Sequence, residues 1–492
     1  MSDEPKRPTG DMDPETFRRE GYRVVDWIAG YLANPDRYPV LSRVKPGDVR
    51  DSLPAAAPER GEAFAAILDD FDRLIVPGIT HWNHPGFFAY FALTGSGPGV
   101  LGEFLSAALN AQGMLWRTSP SVTELEGVAL RWLRDLMGLP ASFDGVIYDT
   151  ASVSSMHALA AAREALVPGV RAHGMPGRDL PAYRVYCSEH AHSSIDKAVI
   201  LIGLGHQNLR KIPADEHYRM RPAALAAAID EDRRAGLVPL AVVATVGTTS
   251  TTSVDPVEEI AAICEREGAW LHVDCAYAGV AAIIPEYRHI LRGVERADSM
   301  VVNPHKWLFT PFDLSAFYCR RMDVVRQAFS LTPEYLRTSE AGAVQNLMDT
   351  GVQLGRRFRA LKLWMILRYF GAEGLRDRLA EHMRLAQLFA SWVDADPDFQ
   401  RLAPVPFSVV CFRAVPRGRE WTEPELERLN QHLLDRLNAT GEVFLSHTKL
   451  DGRMTLRLAV GNLRTEERHV RRAWELASHI TAELKSVPAW SS

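Results

Sequence analysis

The stretch Val301-Val302-Asn303-Pro304-His305-Lys306-Trp307 decides how the rest of the chain is read. Two β-branched residues close an apolar run, so a buried strand ends here. A short polar turn, one lysine and a tryptophan follow. Lys306 therefore lies just past a strand end, where the side chains of an open α/β sheet meet ligands. Most lysines after strands are solvated surface groups. A lysine whose surroundings lower its pKa is instead a nucleophile toward carbonyls.

Working outward, the chain alternates between two periodicities from about Leu93 to Phe370. Residues 145–149, 184–188, 240–246, 270–274 and 300–302 read as strands. Residues 151–166 read as an Ala-rich helix, and Asp255-Pro256 opens another that runs to about Glu267. This pattern predicts a doubly wound α/β domain with a mainly parallel central sheet. Upstream, Asp13-Pro14 supplies an N-cap acid and a first-turn proline, and Phe17, Val24, Val25, Ile28, Tyr31 and Leu32 recur at helical spacing. A proline-rich connector over 39–58 precedes a second amphipathic helix over about 62–74. Downstream, helix-rich sequence runs to about Asp396, and strands are expected near 407–412 and 454–460. The expected division is an N-terminal helical segment over 1–92, a large α/β domain over 93–360 and a small α+β domain over 361–492.

Composition narrows the function classes. The 492 residues are 47% hydrophobic and 24% charged, which suits a globular protein with a sizeable core. A net charge of −5 with no basic stripe argues against nucleic acid and against an anionic membrane surface. No apolar run is long enough to span a bilayer, and the polar start Met1-Ser2-Asp3-Glu4-Pro5-Lys6 carries no secretion signal. Cys187, Cys264, Cys275, Cys319 and Cys411 are scattered without a CxxC pair. Free thiols in a reducing cytoplasm fit this better than disulfides.

Five features fall at the strand ends. Thr150-Ala151-Ser152 sits where strand turns into helix, and its hydroxyls and free amides suit a phosphate, although plain N-capping is the commoner use of Thr and Ser. Glu189-His190-Ala191-His192 follows the second strand. No carboxylate or cysteine cluster supports a metal there, and an imidazole face against a flat cofactor is the better reading. Thr248 to Ser253 is a hydroxyl run that is a turn in the bland reading and a source of donors in the sharper one. Asp274 ends a buried strand, and placed against a pyridine nitrogen it keeps that nitrogen protonated. Lys306 completes a set that matches what pyridoxal 5'-phosphate (PLP) needs. The aromatic stretch 81–91 reads either as a core loop or as the wall of a pocket for a flat substrate. Arg356 and Arg357 are expected to open a helix on a solvated face.

The sequence resembles the group II PLP-dependent decarboxylases, specifically the aromatic-L-amino-acid decarboxylase family of type I (aspartate aminotransferase) fold. The resemblance rests on Asn303 to Trp307, His272-Val273-Asp274-Cys275-Ala276-Tyr277-Ala278-Gly279, Ala191-His192-Ser193-Ser194 and Leu354 to Arg359, with Phe87 to Phe91 and Ser119 to Glu126 adding to it. It implies that Lys306 binds the cofactor covalently, Asp274 pairs with its ring nitrogen and His192 stacks on the ring. It implies that Ala151, Ser152 and Asn303 hold the phosphate, with Thr150 and His305 close by and Thr249 near ring and substrate. Trp82, Tyr90, Phe91 and Phe312 are expected to line the substrate pocket. Gln112 and Met114 are expected to reach the neighbouring subunit's site, in a homodimer with shared sites. Gly355 matches a position that is Gly in indole-accepting members. Tyr335 is expected to donate the proton to Cα from a mobile loop. The implied activity is decarboxylation of aromatic L-amino acids. The rivals are an aromatic aldehyde synthase, which typically carries Phe at the loop tyrosine or Asn at the stacking histidine, and a PLP aminotransferase, for which no carboxylate-binding arginine stands out.

Overall fold

Among residues 10–331 and 344–485, which the computed structural model describes, twelve strands form two sheets. They are β1 (Phe87–Phe88), β2 (Asp144–Tyr148), β3 (Tyr183–Ser188), β4 (Leu209–Ile212), β5 (Val238–Thr245), β6 (Trp270–Asp274), β7 (Ser299–Val302), β8 (Ser315–Cys319), β9 (Phe399–Arg401), β10 (Val409–Ala414), β11 (Phe444–Leu450) and β12 (Arg453–Ala459).

The seven-stranded sheet has the order β2-β8-β7-β6-β5-β3-β4. The pairs among β4, β3, β5, β6 and β7 are parallel. β8 runs antiparallel to both β7 and β2, so β2 points the same way as the parallel set. The carboxyl ends of β2, β3, β5, β6 and β7 therefore share one edge of the sheet. β5 explains the near-continuous apolar run in the sequence. Ala241 and Val243 enter a core shared with the helix Ala151–Leu166, while Val242 and Ala244 enter a second core with the helix Val257–Glu267 on the opposite face. A strand covered by helices on both sides has no polar face to show. The fold is the type I PLP-enzyme architecture expected from the sequence.

β4 and β8 escaped the sequence reading. β4 is Leu-Arg-Lys-Ile, with two cations that mask its alternation, and β8 is five residues sealed by its neighbours. Asp13 does cap the first helix, Pro14–Ala33, accepting from the Glu15 and Thr16 amides. The helix expected over 62–74 is α-helical only at Phe64–Asp70 and then widens over Phe71–Ile75. Arg356 and Arg357 do not open a helix. The helix begins at Arg359, with Phe358 as its cap, because Arg356 is drawn inward to a buried carboxylate.

The second sheet has the order β1-β11-β12-β10-β9. The helices Arg359–Ala395, Glu423–Ala439 and Glu467–Lys485 cover it through Phe389, Leu433 and Ala473. Gly371 interrupts the first of these helices at φ 63°, a left-handed conformation that a side chain would oppose. β1 lies far upstream yet pairs in parallel with β11, Phe87 opposite Phe444. That pairing ties the aromatic stretch before Tyr90 to the carboxyl-terminal sheet.

Candidate active site

The register of the large sheet brings the expected residues to one edge. Asp274 is level with Thr245 on one side and Val301 on the other. The chain leaving β7 turns at once, with the Asn303 amide donating to Ala276 O at 3.0 Å and the Lys306 amide to Asn303 O at 2.9 Å. Ala151, Ala276 and Val301 pack against one another. Small side chains at these three positions let the helix start, the Asp274 turn and the Lys306 turn converge.

Lys306 is the centre of this convergence. Its Nζ lies 5.4 Å from the Phe91 ring centroid, and Phe91 stacks on Tyr277 at 3.8 Å, which stacks on Trp307 at 4.8 Å. Burial pushes the Lys306 pKa below that of an ordinary lysine, and the Asp274 charge pulls partly the other way. Asp274 is buried, and its Oδ1 accepts the Ala276 amide at 3.0 Å. His192 keeps part of its surface exposed while its ring is largely desolvated, and its Nδ1 accepts the Ser194 amide at 3.1 Å. Burial, and then the charge of Lys306, hold the His192 imidazole below its usual pKa, while Asp274 acts in the opposite sense. Lys306, Asp274 and His192 are thus within electrostatic reach of one another.

These residues fit PLP on the structure's own terms. Lys306 offers a desolvated amine and Asp274 a carboxylate for a ring nitrogen. The amides of Ala151 and Ser152 open a sixteen-residue helix, where first-turn amides have no carbonyl of their own helix to donate to. Thr150 precedes them as cap residue without a side-chain cap bond, and its amide is taken by Asp149 at 2.8 Å. Asn303 Oδ1 is buried and has no partner among the described residues. His305 is buried, with Nδ1 accepting the Leu314 amide at 2.9 Å. Burial, aided by the Lys306 charge, pushes its pKa down to about 3.

The remaining candidates fall into two groups. Trp82 and Tyr90 stack at 5.9 Å, next to Phe91, and Phe312 lies 4.8 Å from the His305 ring. Thr249 is exposed, and its carbonyl accepts from Arg457 at 2.6 Å. Gln112, Met114 and Gly355 form a separate group. Gln112 Oε1 accepts the Arg356 amide at 2.7 Å, a Cβ on Gly355 would meet Gln112 Nε2 at 3.2 Å, and Met114 packs by Leu115 and Met348. Among the described residues no hydrogen bond or ring contact joins this group to Lys306 within one chain. Tyr335 lies outside the described residues.

Arg457 was missed in the sequence, although a cation inside the apolar run Leu456-Arg457-Leu458 was a signal. The buried ion pair of Arg356 with Glu126, 2.6 Å, was missed as well.

Known proteins match this chain over nearly its whole length. The pyridoxal-dependent decarboxylase conserved domain matches residues 46–415. Tryptophan decarboxylase 2 of Oryza sativa subsp. japonica is 42% identical over 94% of this chain and 94% of its own. Phenylacetaldehyde synthase of Arabidopsis thaliana is also 42% identical, over 94% of this chain and 96% of its own. The crystal structure of Oryza sativa TDC with PLP and tryptamine superimposes with a TM-score of 0.93 at 39% identity, covering 97% of this chain and all of that one.

Proposed function

The chain belongs to the pyridoxal-dependent decarboxylases, PLP-dependent carboxy-lyases, and on that premise we propose that it converts aromatic L-amino acids to arylalkylamines and CO2. The observation that carries the aromatic reading is the Lys306 amine set 5.4 Å from the Phe91 ring, with the Trp82–Tyr90 stack beside it. Flat, stiff apolar faces recognise a flat side chain. The relatives named above for tryptophan and phenylacetaldehyde chemistry support the same substrate class.

The chain's own residues divide the work as follows. Lys306, its pKa lowered by burial, is the nucleophile for an aldehyde carbon. Asp274 holds a proton on the ring nitrogen. The Ala151 and Ser152 amides and Asn303 take the phosphate, with Thr150 and His305 adjoining. PLP, when bound, takes up the electron pair that CO2 leaves behind. His192 would lie against the ring face, with Nε2 toward the substrate. Thr249 lies near ring and substrate. Tyr335 delivers the proton to Cα. Trp82, Tyr90, Phe91 and Phe312 orient the side chain, although Tyr90 and Phe312 are more than half exposed within the single chain.

A homodimer with shared sites completes the proposal. Leu101, Phe104, Leu105 and Leu109 are exposed on the single helix Gly97–Leu109, an apolar face suited to a second copy. Gln112, Met114 and Gly355 would then serve the partner's site. The division at residues 92/93 and 360/361 is proposed from the resemblance, although the helix Arg359–Ala395 crosses its second boundary and β1 pairs with the carboxyl-terminal sheet. Among the described residues no helix is long and apolar enough to cross a membrane. Five buried free thiols support a reducing, cytoplasmic setting.

Equal identity to a decarboxylase and to an aldehyde synthase makes oxidative decarboxylation the second reading. His192 and Tyr335, both present here, favour the simple reaction. Product analysis decides between them. Tryptophan, 5-hydroxytryptophan, tyrosine, DOPA, phenylalanine, histidine and glutamate are each incubated with PLP-loaded enzyme, and amine and peroxide are followed together. Amine without peroxide from the aromatic substrates is the expected result. Aldehyde with stoichiometric peroxide overturns it.

A further inference from the structure

We propose that Arg457 is a positioning residue for this reaction: it holds Tyr90 and Phe91 against the large domain and so sets how tightly an aromatic side chain is gripped. The inference rests on the pocket reading above and extends it to a residue bonded to the backbone of the aromatic wall.

Arg457 sits on β12 directly across from Ser446 on β11. It is 3% exposed, and no carboxylate stands beside it among the described residues. Its donors go to neutral oxygens on three separate segments: Nε to Ser250 O at 2.8 Å, Nη1 to Ser446 Oγ at 2.9 Å, and Nη2 to Thr249 O at 2.6 Å and Tyr90 O at 3.5 Å. Its guanidinium carbon lies 5.6 Å from the centroid of Phe91, the ring that also faces Lys306. A buried charge without a counter-ion is expensive and is retained where its bonds hold something in place.

What it holds is strained. Tyr90 has φ 51°, a left-handed backbone that a bulky residue rarely adopts. Its amide donates to Ser446 Oγ at 3.1 Å, and its carbonyl accepts from Arg457, which also donates to Ser446. The three residues close a ring of bonds that over-determines the Tyr90 turn. On the other side, the Thr249–Ser250 carbonyls belong to a turn braced from within, where Thr248 Oγ1 meets Ser253 Oγ at 2.8 Å and the Gly247 amide donates to Ser253 O at 2.9 Å. The large-domain turn is the fixed anchor and the aromatic wall is the part being held. None of these bonds reaches Lys306 or Asp274.

The test uses PLP-loaded wild type, Arg457→Gln and Ser446→Ala. KM and kcat are measured for phenylalanine, tyrosine and tryptophan, and the cofactor absorbance is recorded for each protein. Loss of charged hydrogen bonds to the wall is expected to raise KM about tenfold or more in Arg457→Gln and about threefold in Ser446→Ala. The order of preference among the three substrates should change, with kcat and the cofactor band nearly preserved. Where Arg457→Gln does not fold, Ser446→Ala decides alone. An unchanged KM, a loss confined to kcat or a lost cofactor band overturns the positioning role. Wild type that releases no amine from any of the three overturns the proposed function first, and this inference with it.

Discussion

The backbone amide of Ser194 donates to Nδ1 of His192 at 3.1 Å, and the Ser194 hydroxyl lies 2.9 Å from the same nitrogen. An amide N–H can only donate, so Nδ1 keeps its lone pair and the neutral ring carries its proton on Nε2. Protonating Nδ1 would set two hydrogens against each other. This adds to the burial and the Lys306 charge that already depress the His192 pKa.

The pH profile should carry this signature. A depressed pKa means the neutral imidazole persists as pH falls below its ordinary value of about 6.5, so the acidic limb of kcat/KM due to His192 is expected below that pH. Ser194→Ala removes the hydroxyl but leaves the amide, and one hydrogen bond is worth about half to one pH unit of upward movement in that limb. A limb that does not move would mean the hydroxyl contributes nothing to the tautomer.

Lys306→Ala should abolish covalent cofactor attachment, because Lys306 is the buried amine at this edge of the sheet whose pKa burial lowers toward the nucleophilic form. Borohydride reduction followed by peptide mapping reads this directly. The wild type should yield one modified peptide containing Lys306 and the variant none. A reducible adduct retained in the variant would place the nucleophile elsewhere.

Much of this edge was legible in the sequence because parallel strands announce themselves. β6 ends at Asp274 where the apolar run stops, and β7 ends one turn before Lys306. The helix Ala151–Leu166 was legible from its Ala-rich run, which begins directly after Thr150. What escaped depends on contacts far apart in the chain. Arg457 lies 367 residues from Tyr90, and only the β11–β12 pairing brings it there. Arg356 looked solvated because nothing nearby in sequence shows that Glu126, 230 residues away, is buried to receive it. Local patterns fix elements, whereas buried ion pairs are fixed by packing.

Tyr335→Phe should divert the reaction. Without a phenol to deliver a proton to Cα, the electron-rich carbon is left exposed to oxygen, and aldehyde, ammonia and peroxide are expected in place of amine. A peroxide-coupled assay beside amine quantification follows the split. Amine yield equal to wild type would remove Tyr335 from its proposed role and move attention to His192 Nε2.

The Arg356–Glu126 pair offers a stability prediction with a functional tail. Both side chains are at most 5% exposed, Glu126 Oε1 also accepts the Ile147 amide at 2.8 Å, and Arg356 donates to Ile147 O at 2.9 Å. Glu126→Gln strands the guanidinium in the interior, a change that costs about 3–5 kcal/mol in comparable buried pairs. Arg356 is also the residue whose amide binds Gln112 and whose carbonyl receives the Gly113 amide at 3.0 Å, so the Gln112–Gly355 group should loosen before the whole chain unfolds. A lowered denaturation midpoint, with substrate preference altered at temperatures where the cofactor band is intact, is the expected outcome. Replacing both partners, Glu126→Leu with Arg356→Met, should recover much of the midpoint, since an apolar pair leaves no buried charge unmatched. A single variant as stable as wild type would show that water reaches the guanidinium, and the pair would then have no claim to holding Gly355 in place.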